Sequence, residues 1–216
     1  MRSYQELADR WVRGSGGSLD DVDPADQDHV LAKVRLSTKE DARAAVEAAL
    51  SKSFEWGTTP PPKRGAILLK AGELMESVSE ELSELLTHEE GKTLPESRAE
   101  VARSCSLFKF YGAMAYKFGG LTLPSSDPNT RVFTARIPLG VVAAITPWNF
   151  PVAIPLWKLA PALAYGNAVL LKPAPAATAT AMRLGELVGA HLPAGLLAVL
   201  PGGAATGQAV LGAVDA

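Results

Sequence analysis

The chain has 216 residues, a formal net charge of −2 and a single cysteine, Cys105. This length corresponds to one or two domains of roughly 150 residues. A charge so close to zero excludes the basic surface that binding to nucleic acid or to an anionic membrane requires. One cysteine excludes an internal disulfide framework. We therefore expect a globular protein with no nucleic-acid partner.

One uncharged tract, residues 137–157, is long enough to cross a bilayer, but it contains Pro138, Pro147, Pro151 and Pro155. Prolines remove helix hydrogen bonds that lipid cannot replace, so the tract is interpreted as buried protein core. The amino-terminal segment MRSYQELADRWVRGSGG has scattered charges and lacks the apolar stretch of a secretory signal. These features predict no membrane association and a cytoplasmic location.

Helical patterns dominate residues 1–120. Ser37 and Glu40 resemble a capping box that precedes a first helix. Between residues 67 and 85, apolar side chains recur every three or four positions. This spacing predicts one amphipathic helix that ends near Gly91.

A third helix is predicted to begin at Thr93, with Pro95 in its first turn, and to end at Gly119 and Gly120. Its apolar face comprises Val101, Cys105, Phe108, Gly112 and Ala115. A buried thiol behaves as a small hydrophobic group, so we expect Cys105 to be inert.

Other ionisable residues show no pattern of a site. The acidic pairs Glu80–Glu81 and Glu89–Glu90 are typical of a solvated helix face. His29, His88 and His191 lie far apart in the sequence and have no metal-ligand spacing, so no metal is predicted.

Residues 121–137 predict a β-hairpin, because two runs with alternating faces flank the turn-rich peptide SSDPN. A long hairpin that stands apart from a core often pairs with another chain. We therefore expect this segment to form a homo-oligomer contact.

Residues 138–216 have an alternating strand and helix pattern. The run GVVAAIT predicts a strand buried on both faces, and AVLLK and LLAVL predict a second and a third strand. Helices are predicted near residues 153–165 and 177–190, and GGAATG opens another. This alternation predicts right-handed crossovers in a doubly wound parallel sheet, and hence the α/β class. Ligands bind at the carboxyl ends of such strands, which here carry TPWNFP, KPAP and PGG.

Three polar residues near these ends each allow two interpretations. Lys172 either extends to solvent from the sheet or binds ribose hydroxyls or a phosphate. Asn149 either caps the next helix or donates its amide N–H to an oxyanion. Lys158 either reaches solvent from a helix or relays protons in a desolvated site. We expect Asn149 and Lys172 to face one shared crevice.

The aromatic residues Trp148, Phe150 and Trp157 fit either a core or the walls of an apolar pocket. The glycines of PGGAATG match neither the GxGxxG fingerprint nor a P-loop.

The string GVVAAITPWNFPVAIPLWKLAPALAYGNAVLLKPA resembles the aldehyde dehydrogenase superfamily, and the similarity extends over nearly the whole chain. The segments EEGKTLPESRAEV, FYG and IPLGVV fit the same family. The sequence is most similar to the semialdehyde branch, such as α-ketoglutaric semialdehyde dehydrogenase. The resemblance implies a Rossmann-like cofactor domain and oxidation of aldehydes to acids with NAD or NADP.

The resemblance also implies roles for particular residues. Asn149 corresponds to the oxyanion-stabilising asparagine, and Lys158 to a lysine implicated in proton relay. The cofactor groove is implied at Thr146, Pro147, Trp148, Lys172, Pro175 and Gly203, and the aldehyde tunnel at Phe150, Ile154 and Trp157. The hairpin corresponds to the family's oligomerisation arm. These matches divide the chain into residues 1–120 and 138–216 of the cofactor-binding domain, with the arm at 121–137.

Two departures from the family pattern affect these expectations. Pro175 replaces a glutamate that often bonds the ribose 2′-hydroxyl, which favours tolerance of NADP. The family's nucleophilic cysteine, its general-base glutamate and its FTGS-type loop are all missing from the 216 residues. We therefore expect a truncated dehydrogenase that is inactive alone. The alternative is a non-catalytic short form that binds nucleotide or pairs with other subunits.

Overall fold

The computed structural model of the chain describes residues 14–117 and 119–214. The helices are α1 (Lys39–Thr58), α2 (Pro61–Ser77), α3 (Ser79–Glu90), α4 (Leu94–Met114), α5 (Ala153–Ala164), α6 (Thr178–Gly189) and α7 (Ala204–Val214). The strands are β1 (Ser18–Asp23), β2 (Asp26–Arg35), β3 (Thr122–Leu123), β4 (Val132–Phe133), β5 (Val141–Ile145), β6 (Ala168–Lys172) and β7 (Leu197–Val199). The interpretation of the amino terminus as lacking a signal concerns mainly residues 1–13, which lie outside the described residues.

Strands β5, β6 and β7 form the predicted parallel sheet, in that order. The register pairs Val141 with Ala168 and Ile145 with Lys172, so neighbouring strands end together. Strand β6 is buried along its whole length, as expected for a central strand. The prediction that β5 is buried on both faces is wrong for this chain, because β5 has one strand partner in the described sheet and most of it is half-buried.

Helices cover both faces of this sheet, which explains the α/β architecture. Side chains alternate along β6, so Val169 and Leu171 join a core with α2–α6. Ala168 and Leu170 join a second core that includes α1 and the end of α7. None of the helices in residues 14–117 and 119–214 is long and apolar enough to cross a membrane.

Arg64 connects helices of the first part of the chain, residues 1–120, with a helix of the last part, residues 138–216. Its side chain is 1% exposed and donates from Nε to Ala164 O, the last carbonyl of α5, at 3.0 Å. Its Nη1 also donates to carbonyls at the end of α1, including Gly57 O at 3.2 Å. The carbonyls at a helix end have no partner within the helix, so this buried guanidinium satisfies acceptors from both helices.

The first helix begins one residue later than the sequence pattern predicts. Thr38 caps α1, and Asp41 completes the box by accepting from Thr38 N at 2.8 Å. Ser37 N instead donates to Pro201 O at 2.7 Å, so this tertiary contact keeps Ser37 outside the helix. Burial alone would raise the pKa of Asp41, but hydrogen bonds from Thr38 and Ser15 lower it overall.

The long helix predicted to end near Gly91 is two helices, α2 and α3, which meet at Val78. The break lets each part bury its own apolar face, including Met75 in α2 and Leu82 in α3. Gly91 ends α3 in the left-handed conformation with φ of +76°, which confirms the predicted glycine stop.

Helix α4 starts where the sequence predicts, with Thr93 as its N-cap and a capping box completed by Glu96, and its apolar face is buried. It ends before the predicted glycine pair, because residues 115–117 form a short 3₁₀ turn.

The antiparallel hairpin β1–β2 is absent from the sequence prediction, which treats this region as helical. Four aspartates in DDVDPAD hide the strand alternation. The structure nevertheless buries Ala32 and Val34 against Leu85 of α3 and Ala179 of α6. Packing against two helices therefore stabilises strands whose local sequence is a weak signal.

The hairpin predicted at residues 121–137 forms as β3–β4, but only a short part of it is paired. Thr122 pairs with Phe133 and Leu123 with Val132. The surrounding residues 121–137 are almost entirely exposed, so the segment stands away from both cores.

The acidic pair Glu89–Glu90 is buried, which corrects its assignment to a solvated face. Glu89 accepts from Ala179 N at 2.6 Å and Thr180 N at 3.0 Å, and so caps the start of α6. Burial, together with the neighbouring carboxyl of Asp21, raises the pKa of Glu89 well above its usual range. The other pair, Glu80–Glu81, is exposed and forms ion pairs with Arg98 and Arg183.

Candidate cofactor and substrate site

The carboxyl ends of β5, β6 and β7 place the predicted loops at one edge of the sheet. Thr146 N donates to Lys172 O at 3.1 Å, which extends the pairing of β5 with β6 by one residue. Leu200 N donates to Leu171 O at 2.8 Å and joins the end of β7. Residues from three separate loops therefore meet where open α/β sheets bind ligands.

Lys172 lies at the centre of this edge and is 6% exposed. Its Nζ donates to Gly202 O at 2.7 Å, the one hydrogen bond of this ammonium among the described residues. Burial lowers the pKa of Lys172 below its ordinary value. An ammonium has three N–H donors, so this side chain keeps capacity to bind an acceptor from outside.

The loop between β7 and α7 closes the site beside Lys172. Gly202 has a φ of +155°, and a Cβ there would overlap the side chain of Thr206. Thr206 in turn donates to Ser37 O at 2.9 Å, which fixes the loop against the start of α1. Gly203 is different, because a Cβ on it would meet no atom within 4 Å. The absence of a side chain at Gly203 is therefore not required by contacts within the described structure.

Thr146 carries a buried hydroxyl that the described structure leaves without a partner. The residue is 4% exposed, and its Oγ1 makes no hydrogen bond within the described residues. Buried polar groups are nearly always paired, so an orphaned hydroxyl at the end of β5 indicates a ligand or solvent position.

A cavity of about 620 Å³ lies beside the loop that contains Asn149. Its lining includes Asn149, Phe150 and Trp157, together with residues of α4 such as Glu100 and Arg103. The structure thus brings the three predicted residues together. Lys172 is not among the described residues that line this cavity, although the strands that precede Asn149 and Lys172 end at the same edge of the sheet.

The other predicted site residues occupy varied positions. Pro147 and Trp148 are exposed in the loop after β5, and Pro175 is exposed at the start of a 3₁₀ turn three residues after Lys172. Ile154 is half-buried in the first turn of α5. Lys158 lies on the exposed side of α5 and is not among the described residues that line the 620 Å³ cavity.

A buried charge cluster holds the Asn149 loop in place. Glu100 Oε1 accepts from Val152 N and Ala153 N, both at 3.0 Å, and so caps the start of α5. Its Oε2 lies 2.6 Å from Lys92 Nζ, which donates to Asn149 O at 3.3 Å. The same ammonium lies 4.9 Å from the ring centroid of Phe150, a cation–π contact.

Glu90 completes this cluster at 2.6 Å from Lys92 Nζ. Burial alone would lower the pKa of Lys92, but hydrogen bonds to Glu100 and Glu90 raise it overall. Burial raises the pKa of Glu90.

Sequence reasoning missed Glu100 and Lys92, although one signal was present. Glu100 lies on the apolar face of α4, next to Val101 and four residues before Ser104. A carboxylate within a buried stripe needs a partner, and this requirement marks it as a structural anchor.

Cys105 is buried in α4, as the apolar pattern predicts. Burial, with a smaller effect of the Glu76 charge, raises the pKa of this thiol to about 11. The thiolate is the nucleophilic form, so this cysteine is poorly suited to covalent catalysis.

Comparison with known proteins identifies the family to which this parallel α/β fold belongs. The sequence pattern of the aldehyde dehydrogenase family matches residues 11–216, and the chain belongs to this family. It is 59% identical over 196 residues to 2,5-dioxopentanoate dehydrogenase of Saccharolobus solfataricus, covering 91% of this chain and 40% of that protein. It is 44% identical over 205 residues to alpha-ketoglutarate semialdehyde dehydrogenase of Haloferax volcanii, covering 94% and 42% respectively.

Solved structures confirm the fold. Betaine aldehyde dehydrogenase of Staphylococcus aureus in complex with NAD⁺ superposes with a TM-score of 0.88 at 32% identity, covering 93% of this chain and 41% of that one. An NADP-dependent enzyme of E. coli also gives 0.88, at 34% identity, covering 92% and 42% respectively. The chain therefore spans about two fifths of the length of the relatives that it matches.

Proposed function

We propose that this chain is the N-terminal part of an NAD(P)-dependent aldehyde dehydrogenase that oxidises an aldehyde or semialdehyde to a carboxylic acid. The observation that carries this proposal is Lys172, a buried ammonium with spare donors at the carboxyl edge of a parallel sheet. Family membership gives this lysine a chemical context.

The residues at this edge fit the adenosine half of NAD(P). Lys172 offers N–H donors to ribose hydroxyls, and the orphaned Thr146 hydroxyl lies one residue beyond the end of β5. Gly203 leaves open space for an adenine against the backbone. Pro147 and Trp148 are exposed in the loop after β5, and we propose that their backbone borders the cofactor. When bound, the cofactor supplies a nicotinamide ring that accepts hydride.

Pro175 supports use of NADP as well as NAD. It is exposed three residues after Lys172 and brings no carboxylate to the ribose 2′-position. A carboxylate there would bond the 2′-hydroxyl of NAD and repel the 2′-phosphate of NADP. We therefore propose that the two cofactors bind with similar affinity.

The substrate side is the cavity beside Asn149. The Asn149 amide donates to the oxyanion that forms when a nucleophile attacks the aldehyde carbon. Phe150, Ile154 and Trp157 supply apolar wall, and Lys158 is the proposed proton relay. Arg103 lines the same cavity and has no ion pair among the described residues, which favours an aldehyde that carries a carboxylate.

Turnover requires a thiolate that this chain does not offer. Cys105 is the only cysteine of the sequence, and it is buried in α4 with a raised pKa. We propose that the 216 residues bind cofactor but do not oxidise aldehydes alone. The exposed hairpin at 121–137 is the proposed contact with other subunits.

A chimera tests this function directly. This chain would replace the corresponding part of the S. solfataricus dehydrogenase, which is 59% identical to it. We expect the chimera to form NADH and NADPH from 2,5-dioxopentanoate. Lys172→Met should raise KM for the cofactor at least tenfold, because a hydrogen bond to a charged group contributes about 1.5–3 kcal/mol.

Lys70→Met provides the matched control, because Lys70 is exposed on α2, away from the sheet edge. Circular dichroism would verify that each variant is folded. A folded chimera without activity, or equal effects of the two lysine substitutions, would contradict the proposed function. A strong preference for NAD over NADP would contradict only the proposal that the two cofactors bind with similar affinity because of Pro175.

A further inference from the structure

Two of the three histidines lie together, although their sequence spacing indicates no metal site. His29 of β2 and His88 near the end of α3 both lie beside Asp23, the last residue of β1. One donor atom from each residue falls within 4.8 Å of the others. The fold therefore assembles a cluster of two imidazoles and one carboxylate from three different elements.

The distances in this cluster are close to those of a tetrahedral site. Asp23 Oδ2 lies 2.7 Å from His88 Nδ1 and 3.7 Å from His29 Nδ1. Metal–ligand bonds of about 2.0–2.1 Å at tetrahedral angles separate neighbouring donors by about 3.3 Å. The two observed distances bracket this value, so each distance between Asp23 and a histidine differs from it by about half an ångström.

Exposure allows the imidazoles to move by such distances and allows an ion to enter. The His29 and His88 side chains are 44% and 46% exposed, whereas that of Asp23 is 7% exposed. The buried carboxylate is also fixed by Ala25 N, which donates to its Oδ1 at 2.8 Å. Its Oδ2 faces the histidines and is the oxygen available to a cation.

The donor set also fits a particular class of ion. One carboxylate and two imidazoles suit a borderline divalent ion such as Zn²⁺, with water completing the coordination.

We propose that Asp23, His29 and His88 form a binding site for a divalent transition-metal ion of the Zn²⁺ type. The ion would connect the β1–β2 hairpin to the end of α3, just before Glu89 and Glu90. This site is on a different element pair from Lys172 and Asn149. The proposal is thus independent of the dehydrogenase function.

Titration of the untagged, EDTA-treated 216-residue chain with Zn²⁺ tests the site. Isothermal titration calorimetry should give one Zn²⁺ per chain, and Zn²⁺ should raise the melting temperature by mass action. His29→Gln should weaken Zn²⁺ binding by at least about tenfold. Loss of a residue that only supports a metal ligand already lowers metal affinity by about 10–100-fold, and His29 is a proposed ligand itself. This variant should keep the Asp23–His88 hydrogen bond. His29 takes no part in that bond, since its Nδ1 lies 3.7 Å from Asp23 Oδ2 and is too distant for a hydrogen bond.

His191→Gln is the control, because His191 is an exposed histidine outside the cluster. Retention of binding in this variant and loss in His29→Gln would support the site. No Zn²⁺ binding by the folded wild type, or equal binding by wild type and His29→Gln, would overturn the proposal. In that case the Asp23–His88 pair serves only as a hydrogen-bonded tether.

Discussion

Cys105 shows how the environment of one residue determines its chemistry. Its side chain projects from α4 into the hydrophobic core, where a charged thiolate would lose its hydration. Burial and, to a lesser extent, Glu76 raise its pKa to about 11 from 9.0. At neutral pH, the folded chain therefore holds a thiolate fraction about 100-fold lower than the unfolded chain.

We predict that iodoacetamide labels Cys105 at least about 100-fold more slowly in the folded chain than in urea, because burial also blocks access. Mass spectrometry of quenched samples measures both rates. The raised pKa also predicts that stability falls as pH increases from about 9 towards 11, since the unfolded thiol releases its proton first. Equal labelling rates would show that α4 does not protect this residue.

Single residues were predictable from the sequence where local pattern and chemistry coincide. Lys172 follows an apolar run and Asn149 follows another, so their shared edge is a consequence of parallel topology. His29 and Asp23 became neighbours of His88 only through a hairpin that the sequence does not reveal. Contacts between distant segments leave no spacing signal, and this explains why that cluster was missed.

Among the elements, α5 depends on a carboxylate from another helix. Glu100 of α4 accepts two N–H groups at the start of α5 and pairs with Lys92. The side chain of Glu100 is 3% exposed, so removal of its charge leaves an ammonium buried with fewer partners.

We predict that Glu100→Gln lowers the free energy of unfolding by about 2–4 kcal/mol, because a buried charge-assisted network loses one member. Urea unfolding followed by circular dichroism measures this change. Glu47→Gln is the control, since Glu47 is exposed on α1 and should change stability by less than about 0.5 kcal/mol. Equal stability of the two variants would mean that Glu100 does not anchor the Asn149 loop.

Elements with strong local signals were predicted, and those that depend on tertiary packing were not. The strands of residues 138–216 were recognisable, because each is a short apolar run between turn residues. The β1–β2 hairpin and the break at Val78 were missed. For the hairpin, packing of Ala32 and Val34 against α3 and α6 outweighs the local preference of the sequence.

At the scale of the whole molecule, apolar surface collects around the β3–β4 hairpin. Phe133 is 72% exposed, Ile137 83% and Leu139 89%. Strand β5 follows directly and has one partner in the described sheet. Unpaired edges and clustered apolar side chains promote association between chains.

We predict that the 216-residue chain self-associates in solution and that Phe133→Asp shifts it towards smaller species, because a charge on the hairpin opposes burial. Sedimentation velocity measures the distribution. Phe54→Asp is the control, since Phe54 is 81% exposed on α1, far from the hairpin in the sequence. A wild-type monomer with a sharp cooperative melt would contradict this prediction.

The position of Arg64 has a consequence for how the chain acquires its structure during synthesis. Its guanidinium bonds carbonyls near residue 57 and at Ala164, which are separated by about one hundred positions. The early helices therefore emerge from the ribosome before the Ala164 carbonyl, one of the final hydrogen-bond acceptors of Arg64, has been synthesised. Their native arrangement is complete only after α5 has been translated, so the helical region matures together with the sheet rather than ahead of it.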